Sequence, residues 1–250
     1  MSMVPPLGLT RVAWDELPGW YILPKGVLMS RSETRPSVDD VVPYETRLSQ
    51  DRRWALSEAS RFFQGEGGVQ ETLRAVTKRL NDLGVPYAVA GGIALFQHGY
   101  RRFTEDIDIL VTRDGLRTIH DTIEGLGYVR PFAGSKNLKD AQHGVRIEFL
   151  IAGDYPGDGK PKPVAFPNPD QVAVEFDGIK YLNLPTLIEL KLASGMSNPR
   201  RGKDLIDVEA LIDQLRLPEA FAEQLNPYVR EEYRNRWRIV NAPRDDAPQP

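Results

Sequence analysis

The stretch from residue 85 to residue 112 constrains the fold more than any other part of the chain. An apolar run over residues 87–90 ends in Gly91-Gly92, a helix-like stretch follows, and a second apolar run carries Asp106 and Asp108 at alternate positions. In a strand, side chains at positions i and i+2 point to the same face, so both carboxylates should stand together. The stretch therefore predicts strand, glycine turn, helix and strand in close succession.

Two carboxylates held side by side repel each other, and a divalent cation relieves that repulsion. Mg²⁺ suits hard carboxylate oxygens and binds through one or two of them together with substrate phosphates. Gly91 and Gly92 have no Cβ, so their backbone can approach a ligand closely, and the N–H groups at the start of a following helix attract an anion. The pattern thus indicates a phosphate site that faces a metal site.

This spacing resembles the signature of the polymerase-β-like nucleotidyltransferase superfamily. The matching residues are Gly91-Gly92, then thirteen residues, then Asp106-Ile107-Asp108, with Arg102 and Thr104 just before the aspartates. The resemblance is strongest to small bacterial members, including minimal nucleotidyltransferases and the nucleotidyltransferase-like toxins of toxin–antitoxin pairs, and it covers residues 69–215. It implies a small mixed sheet flanked by helices.

A third carboxylate is predicted on a second strand. In the run 145–151, Ile147, Phe149 and Ile151 share one face, which leaves Arg146 and Glu148 on the other. The resemblance implies that an acid on a strand beside the two aspartates completes the metal site, and Glu148 is the candidate. A solvent-facing strand glutamate is the alternative.

A later segment adds candidate phosphate-binding residues. Lys191, followed by the basic loop 195–202 and then by Lys203, Asp204 and Asp207, resembles a later motif of the small bacterial members. In that motif the lysine contacts phosphate and the first aspartate supports the site. Acids in a first helical turn also complement the helix dipole, so purely stabilising aspartates are the alternative.

The resemblance as a whole assigns two sets of residues. Catalysis and metal binding, with two Mg²⁺ ions, fall to Asp106, Asp108 and Glu148, and Lys191 joins them in catalysis. Nucleotide binding falls to Gly91, Gly92, Arg102, Thr104, Lys203 and Asp204. Many members have Gly-Ser where this chain has Gly-Gly, so the phosphate contact here would rest on the backbone alone.

The remaining elements predict an α+β fold. Apolar residues at helical spacing predict a helix over 69–83 that ends at Gly84, and a second one over 113–126. Strands are predicted at 128–132 and 145–151, a loop over 153–170, and a hairpin over 172–184 that turns at Asp177-Gly178. Thr186 and Glu189 predict a capping box for the helix that carries Lys191.

Four segments are expected along the chain. An irregular extension with prolines and tryptophans covers residues 1–65, with a short helix near 52–63. A nucleotidyltransferase-like domain covers 66–216, a helical segment 217–240, and a disordered end 241–250. The aromatic residues of the extension are expected to pack on the main body or on a partner; a partly disordered leader is the alternative.

Composition excludes several classes of function. With no cysteine, the chain has neither a disulfide framework nor a thiolate zinc site, which fits the cytoplasm. No apolar run approaches the roughly 20 residues that span a bilayer, so no membrane association is expected. A net charge of −3 argues against non-specific coating of nucleic acid. No serine-hydrolase elbow, zincin or P-loop motif occurs.

The segment 218–240 carries a basic stripe. Arg230, Arg234 and Arg238 lie four residues apart, beside an apolar stripe that includes Tyr233 and Trp237. This surface could hold a phosphate backbone and stack a base, but an aromatic core face with a solvated basic edge is the favoured interpretation. The three histidines, His98, His120 and His143, have no ligand spacing.

The function implied by the resemblance is Mg²⁺-dependent transfer of a nucleoside monophosphate from an NTP, such as ATP, to an acceptor hydroxyl. The acceptor could be the 3′ end of tRNA, a protein side chain or a small molecule, and a small antitoxin is a candidate partner. The alternative is a catalytically inactive protein that keeps the fold and binds a nucleotide or a partner.

Overall fold

The computed structural model describes residues 20–22, 28–30 and 41–243. The chain divides into two compact units, Met1–Pro36 and Ser37–Pro250. In the first unit, strands β1 (Trp20–Ile22) and β2 (Leu28–Ser30) form an antiparallel pair. The expectations for the aromatic anchors of the extension and for the chain end after residue 243 lie outside the described residues.

Seven strands of the second unit form one mixed sheet. They are β3 (Tyr87–Val89), β4 (Asp106–Val111), β5 (Tyr128–Val129), β6 (Leu138–Asp140), β7 (Arg146–Ile151), β8 (Ala173–Phe176) and β9 (Ile179–Leu182). Their order across the sheet is β5-β6-β7-β4-β3-β9-β8. The pairs β4–β7 and β3–β9 are parallel, and the other neighbours are antiparallel.

The central strands β4 and β7 separate an apolar face from a polar one. Ile107 and Ile109 of β4, and Ile147 and Phe149 of β7, are fully buried in the core. On the opposite face, Asp106, Asp108, Arg146 and Glu148 occupy alternate positions and are at least partly exposed, and Leu110 and Leu150 follow them toward the ends of the strands. Strand alternation therefore directs the polar set to one face while the core fixes the strands.

The helices are α1 (Tyr44–Gln50), α2 (Arg52–Phe63), α3 (Gly68–Leu83), α4 (Gly91–Gln97), α5 (Arg113–Ile123), α6 (Pro169–Val172), α7 (Leu184–Ser197), α8 (Gly202–Leu215) and α9 (Pro227–Val240). Helices α3 and α5 contact the sheet, while α7, α8 and α9 pack on one another. Among the described residues, no helix has the length and apolar character needed to cross a bilayer.

The predicted α+β class, with a small mixed sheet, flanking helices and a helical C-terminal segment, is confirmed. Helix α3 ends where expected, because Gly84 takes a left-handed conformation with φ of 66°. The hairpin turn is also of the expected kind. Asp177 and Gly178 have φ of 50° and 76°, and a type I′ turn requires positive φ at both positions.

Some local predictions are wrong. The capping box does not form: Asn183 caps α7 by accepting from the Thr186 N–H at 2.9 Å, and Glu189 accepts from the N–H of Asn226 instead. Strand β6 was not predicted, because its three residues include two charged side chains. Helix α1 lies within the segment 1–65 that was expected to be irregular apart from a helix near 52–63, and Pro43 occupies its N-cap position.

Candidate functional site

Three carboxylates stand together on the polar face of the two central strands. Asp108 of β4 and Glu148 of β7 are register partners in the parallel pair, and Asp106 precedes Asp108 by two residues on the same face. We call Asp106, Asp108 and Glu148 the acid trio. The trio gathers the three acids that the sequence singled out as metal ligands; their role as ligands stays a prediction.

The glycine turn lies directly against the second aspartate. Gly91 has φ of 57°, and a Cβ built on it would overlap the Asp108 carboxylate oxygen Oδ2. The neighbouring Ala90 N–H donates to the Asp108 backbone carbonyl at 2.8 Å. Only glycine meets both requirements, a left-handed conformation and the absence of a side chain. The structure thus brings the glycine pair and the aspartates together.

Thr104 links the second glycine to the first aspartate. A Cβ on Gly92 would come within 2.7 Å of the Thr104 hydroxyl oxygen, so this position also has no room for a side chain without rearrangement. The Thr104 hydroxyl donates to Asp106 Oδ1 at 2.8 Å. Thr104 is buried, and it therefore fixes the orientation of the Asp106 carboxylate.

Arg146 pairs with two members of the acid trio. It is the register partner of Asp106 across the parallel pair. Its guanidinium lies 3.3 Å from Asp106 Oδ2 through one terminal nitrogen and 3.0 Å from Glu148 Oε1 through Nε. Sequence reasoning placed Arg146 on this face but gave it no role, because the register between two strands 40 residues apart is not written in either strand.

The surroundings of Asp108 disfavour its ionised form. Burial is the largest cause that raises the pKa of Asp108, from 3.8 to about 7, and the charges of Asp106 and Glu148 raise it further. Lys191 and Arg201 act in the opposite direction. A carboxylate whose ionised form is this unfavourable would gain from a bound cation.

A buried ion network connects helices α7 and α8 to the same region. Lys191 Nζ lies 2.7 Å from Asp207 Oδ2 and 3.0 Å from Asp204 Oδ1. Arg102 approaches the same Asp207 carboxylate with Nε at 3.1 Å and a terminal nitrogen at 3.2 Å. The Ser194 hydroxyl donates to Asp204 at 2.7 Å. The predicted phosphate-binding lysine is thus also the partner of two aspartates.

The central place of Asp207 in this network was not predicted from the sequence, which indicated only a part of the later motif or an acid that complements the helix dipole. Asp207 is 1% exposed, and its carboxylate pairs with both Lys191 and Arg102. The signal was present in the spacing, since residues three apart on a helix share a face. What the sequence could not supply was the approach of Arg102 from a loop 105 residues away.

All the predicted site residues line one cavity of about 330 Å³. Its charged lining includes the acid trio, Arg146, the ion network and the exposed Arg200, Arg201 and Lys203. Its apolar lining includes Leu150, Phe166, Leu187 and Leu190. The structure therefore joins the early glycine and aspartate motif to the later lysine and aspartate motif in a single cleft.

The acid trio suits Mg²⁺ in donor chemistry, although the carboxylates are not yet arranged around one point. Within the described part of the chain, no three His, Cys, Asp or Glu side chains form a ready metal cluster. The trio nevertheless offers hard oxygen ligands on adjacent strands, and Arg146 makes ion pairs there that a metal would otherwise make.

The basic stripe of α9 is neutralised within the protein. Arg230 and Arg234 both pair with Glu223, and Arg238 pairs with Glu231. On the neighbouring stripe, Val229 and Tyr233 are fully buried. The favoured interpretation, an aromatic core face with a basic edge, agrees with this arrangement.

The histidines make contacts outside the acid trio, for example the hydrogen bond between His98 Nε2 and the Leu182 carbonyl at 2.7 Å.

Solved structures similar to this chain are nucleotidyltransferases by their descriptions. ANT(2″)-Ia in complex with adenylyl-2″-tobramycin is 13% identical with a TM-score of 0.44, over 67% of this chain and 98% of that one. A candidate nucleotidyltransferase from Thermotoga maritima is 22% identical with a TM-score of 0.39, over 54% and 89%. An antigenic nucleotidyltransferase-like protein from Paracoccidioides brasiliensis is 16% identical with a TM-score of 0.38, over 57% and 74%.

No protein-family model matches the chain, and no curated protein sequence matches it. The resemblance to nucleotidyltransferases that the motifs indicated is thus found again among solved structures. At these identities and TM-scores the likeness concerns the fold, and it carries no argument about activity or substrate.

Proposed function

We propose that this protein transfers a nucleoside monophosphate from an NTP to an acceptor hydroxyl and releases pyrophosphate. One observation carries the proposal: the Asp108 carboxylate occupies the space beside Gly91 that a side chain would fill, in register with Glu148 and on the same face as Asp106. A glycine turn and an acid trio in contact form a site where a metal-bound triphosphate could sit. Phosphoryl transfer is accelerated by positioning and by positive charge near the phosphate, which metal ions held by the acid trio and the N–H groups of the glycine turn would supply.

In this proposal the acid trio holds two divalent cations. Mg²⁺, when bound, would polarise the α-phosphate and lower the pKa of the acceptor hydroxyl. Thr104 keeps the Asp106 carboxylate oriented for this task through its hydrogen bond of 2.8 Å. Glu148, or a water beside it, is the proposed base that receives the proton of the hydroxyl.

The phosphates would be bound by backbone N–H groups and by the cations of the cavity. Gly91 and Gly92 line the cavity with their backbone, and the space that their side chains would fill is occupied by Asp108 and Thr104. Arg102 and Lys191 are held by buried carboxylates on the cavity wall and would neutralise charge that spreads onto phosphate oxygens. Lys203 is exposed at the same cavity and can move toward a ligand.

The acceptor in this proposal is an RNA 3′ end, a protein side chain or a small molecule. A role as the toxin of a toxin–antitoxin pair in the cytoplasm would follow if a neighbouring reading frame encodes a small helical antitoxin. ANT(2″)-Ia, to which the chain is similar, is described with an adenylylated aminoglycoside, which makes small molecules worth including among the acceptors tested.

An inactive nucleotide-binding protein is the second candidate, and one observation favours it. Arg146 already neutralises part of the acid trio, and a site that had lost its metal would keep its fold by such a substitution of charge. The two candidates differ in whether any product forms, so a transfer assay separates them.

The test uses NTPs labelled at the α-phosphate, Mg²⁺ and three acceptor pools: total RNA, total protein and a set of small hydroxylated compounds. Transfer of the α-label to an acceptor, with no transfer from γ-labelled NTP, is the expected result. The γ-labelled arm distinguishes nucleotidyl transfer from kinase activity, because only a kinase would move the γ-phosphate. Nucleotide binding without transfer in any pool would favour the second candidate.

A further inference from the structure

Arg146 occupies an unusual place for a cation. It lies on β7 opposite Asp106 of β4, and its guanidinium spans from Asp106 Oδ2 at 3.3 Å to Glu148 Oε1 at 3.0 Å. Within residues 41–243, it is the one cation that forms ion pairs with the acid trio, because Lys191 and Arg102 pair with Asp204 and Asp207 instead. Arg146 therefore competes for the oxygens that a metal would need.

The Arg146 side chain is exposed enough to move away from these two carboxylates. Arg146 is 44% exposed, and its two carboxylate partners are 29% and 32% exposed. Ion pairs with this much solvent are weak, typically up to about 1 kcal/mol each. A divalent cation, with twice the charge and no flexible stem to order, can displace such a group from hard oxygen ligands.

We propose that Arg146 is an exchangeable counter-ion of the acid trio. It holds Asp106 and Glu148 until a divalent cation binds, and then it turns to the phosphate oxygens of the nucleotide in the same cavity. This inference rests on the proposed function. It adds that the metal and the nucleotide bind with positive coupling, because the nucleotide offers the displaced guanidinium a new anionic partner.

The coupling follows from linkage. A metal that binds alone must leave the Arg146 charge without a partner, which weakens metal binding. A nucleotide that binds together with the metal accepts that charge, so each ligand strengthens the other by the same factor. Removing the guanidinium should thus strengthen metal binding in the absence of nucleotide and reduce the additional gain that nucleotide gives.

The test measures Mn²⁺ binding to the full chain by electron paramagnetic resonance, with and without an NTP analogue whose α,β-bridge is a methylene group. Arg146→Gln should bind Mn²⁺ alone roughly three- to tenfold more tightly than the wild type, since two exposed ion pairs no longer compete. The analogue should tighten Mn²⁺ binding more in the wild type than in Arg146→Gln.

Arg201→Gln is the matched control. It removes the same charge from the same cavity, but Arg201 pairs with Asp204 rather than with the acid trio. An equal gain in Arg201→Gln would indicate a general field effect and would overturn the role of Arg146. Unchanged or weaker Mn²⁺ binding in Arg146→Gln would also overturn it, while leaving the transferase proposal intact. Absence of Mn²⁺ binding in every protein, even with the analogue, would overturn both proposals.

Discussion

Asp108 contacts Gly91 so closely that a methyl group could not stand between them. The aspartate comes from β4 and the glycine from the turn after β3, and the antiparallel pairing of these strands sets them side by side. Strand register thereby places a carboxylate at the point where the main chain turns into α4. Every role proposed for the acid trio depends on this proximity.

Replacement of Gly91 tests the proximity directly. Gly91→Ala should lose most transfer activity, because the new Cβ displaces the Asp108 carboxylate and also requires a left-handed alanine. Gly84→Ala is the control, since Gly84 has a similar φ of 66° but open space around a Cβ. Both variants should lose about 1 kcal/mol of unfolding free energy or more from backbone strain, but only Gly91→Ala should lose transfer.

Denaturant titrations and the α-label assay on both variants supply the measurements. Equal activity of the two alanine variants would contradict the contact between residue 91 and Asp108 as a requirement for function.

The two aspartates of the acid trio should be essential for transfer and dispensable for folding. Asp106→Asn and Asp108→Asn should each reduce kcat/KM by about 100-fold or more, because a neutral amide is a poor ligand for a metal that must stabilise charge. Asp154→Asn is the control, since Asp154 follows β7 and pairs with the exposed Arg113. Circular dichroism should report an unchanged fold for all three variants, and transfer retained by either site variant would refute the metal assignment.

The burial of Asp108 beside two other acids predicts a pH-dependent contribution to stability. In the folded protein the pKa of Asp108 is raised from 3.8 to about 7, so the native state keeps a proton that the unfolded chain releases at lower pH. The contribution of Asp108 to the free energy of unfolding should therefore fall as the pH rises from about 4 to about 7. Asp108→Asn lacks this group, so the stability of this variant relative to the wild type should rise across that window.

Urea titrations of both proteins in buffer with a chelator provide the measurement. Added Mg²⁺ should reduce the stability difference between the two proteins near pH 7, because a bound cation stabilises the ionised Asp108 carboxylate. Parallel stability curves for the two proteins across the window would argue against a raised pKa of Asp108.

Removing a carboxylate from the buried ion network should cost more stability than removing an exposed carboxylate. Asp207→Asn leaves Lys191 and Arg102 without their shared carboxylate, and removing one partner of a buried pair costs about 3 to 5 kcal/mol of unfolding free energy. Asp213→Asn, on the exposed side of the same helix, should change stability by about 0.5 kcal/mol or less. Similar losses in the two variants, measured by chemical denaturation, would contradict a supporting role for Asp207.

The parts of this site that depend on the alternation of side chains along a strand could be predicted from the sequence. Alternation placed Asp106 with Asp108, and Glu148 apart from Phe149, without knowledge of the fold. Only the family resemblance predicted that the strand with Asp106 and Asp108 lies beside the strand with Glu148, since the pairing of distant strands is a tertiary property. The contacts of Arg146 with Asp106 and of Arg102 with Asp207 were not predictable for that reason, because the partners lie far apart in the chain and no periodicity connects them.

The predictions of helix caps and short strands were wrong for a different reason. Asn183, three residues before Thr186, caps α7, and Glu189 accepts from the N–H of Asn226, a contact with a distant part of the chain that no local pattern indicates. The three-residue strand β6 has too few apolar positions to be recognised alone, and it forms because β7 offers it an edge.

The parallel register of β4 and β7 has a consequence for how this chain can change in length. The pairing of β4 with β7, and not the length of the chain between the two strands, aligns Glu148 with Asp108. A single residue inserted within β7 ahead of Glu148 would send the glutamate into the apolar layer and bring an apolar side chain to the cleft. Two inserted residues would return Glu148 to the face of the sheet that lines the cleft, so insertions inside this strand that preserve the site should contain an even number of residues.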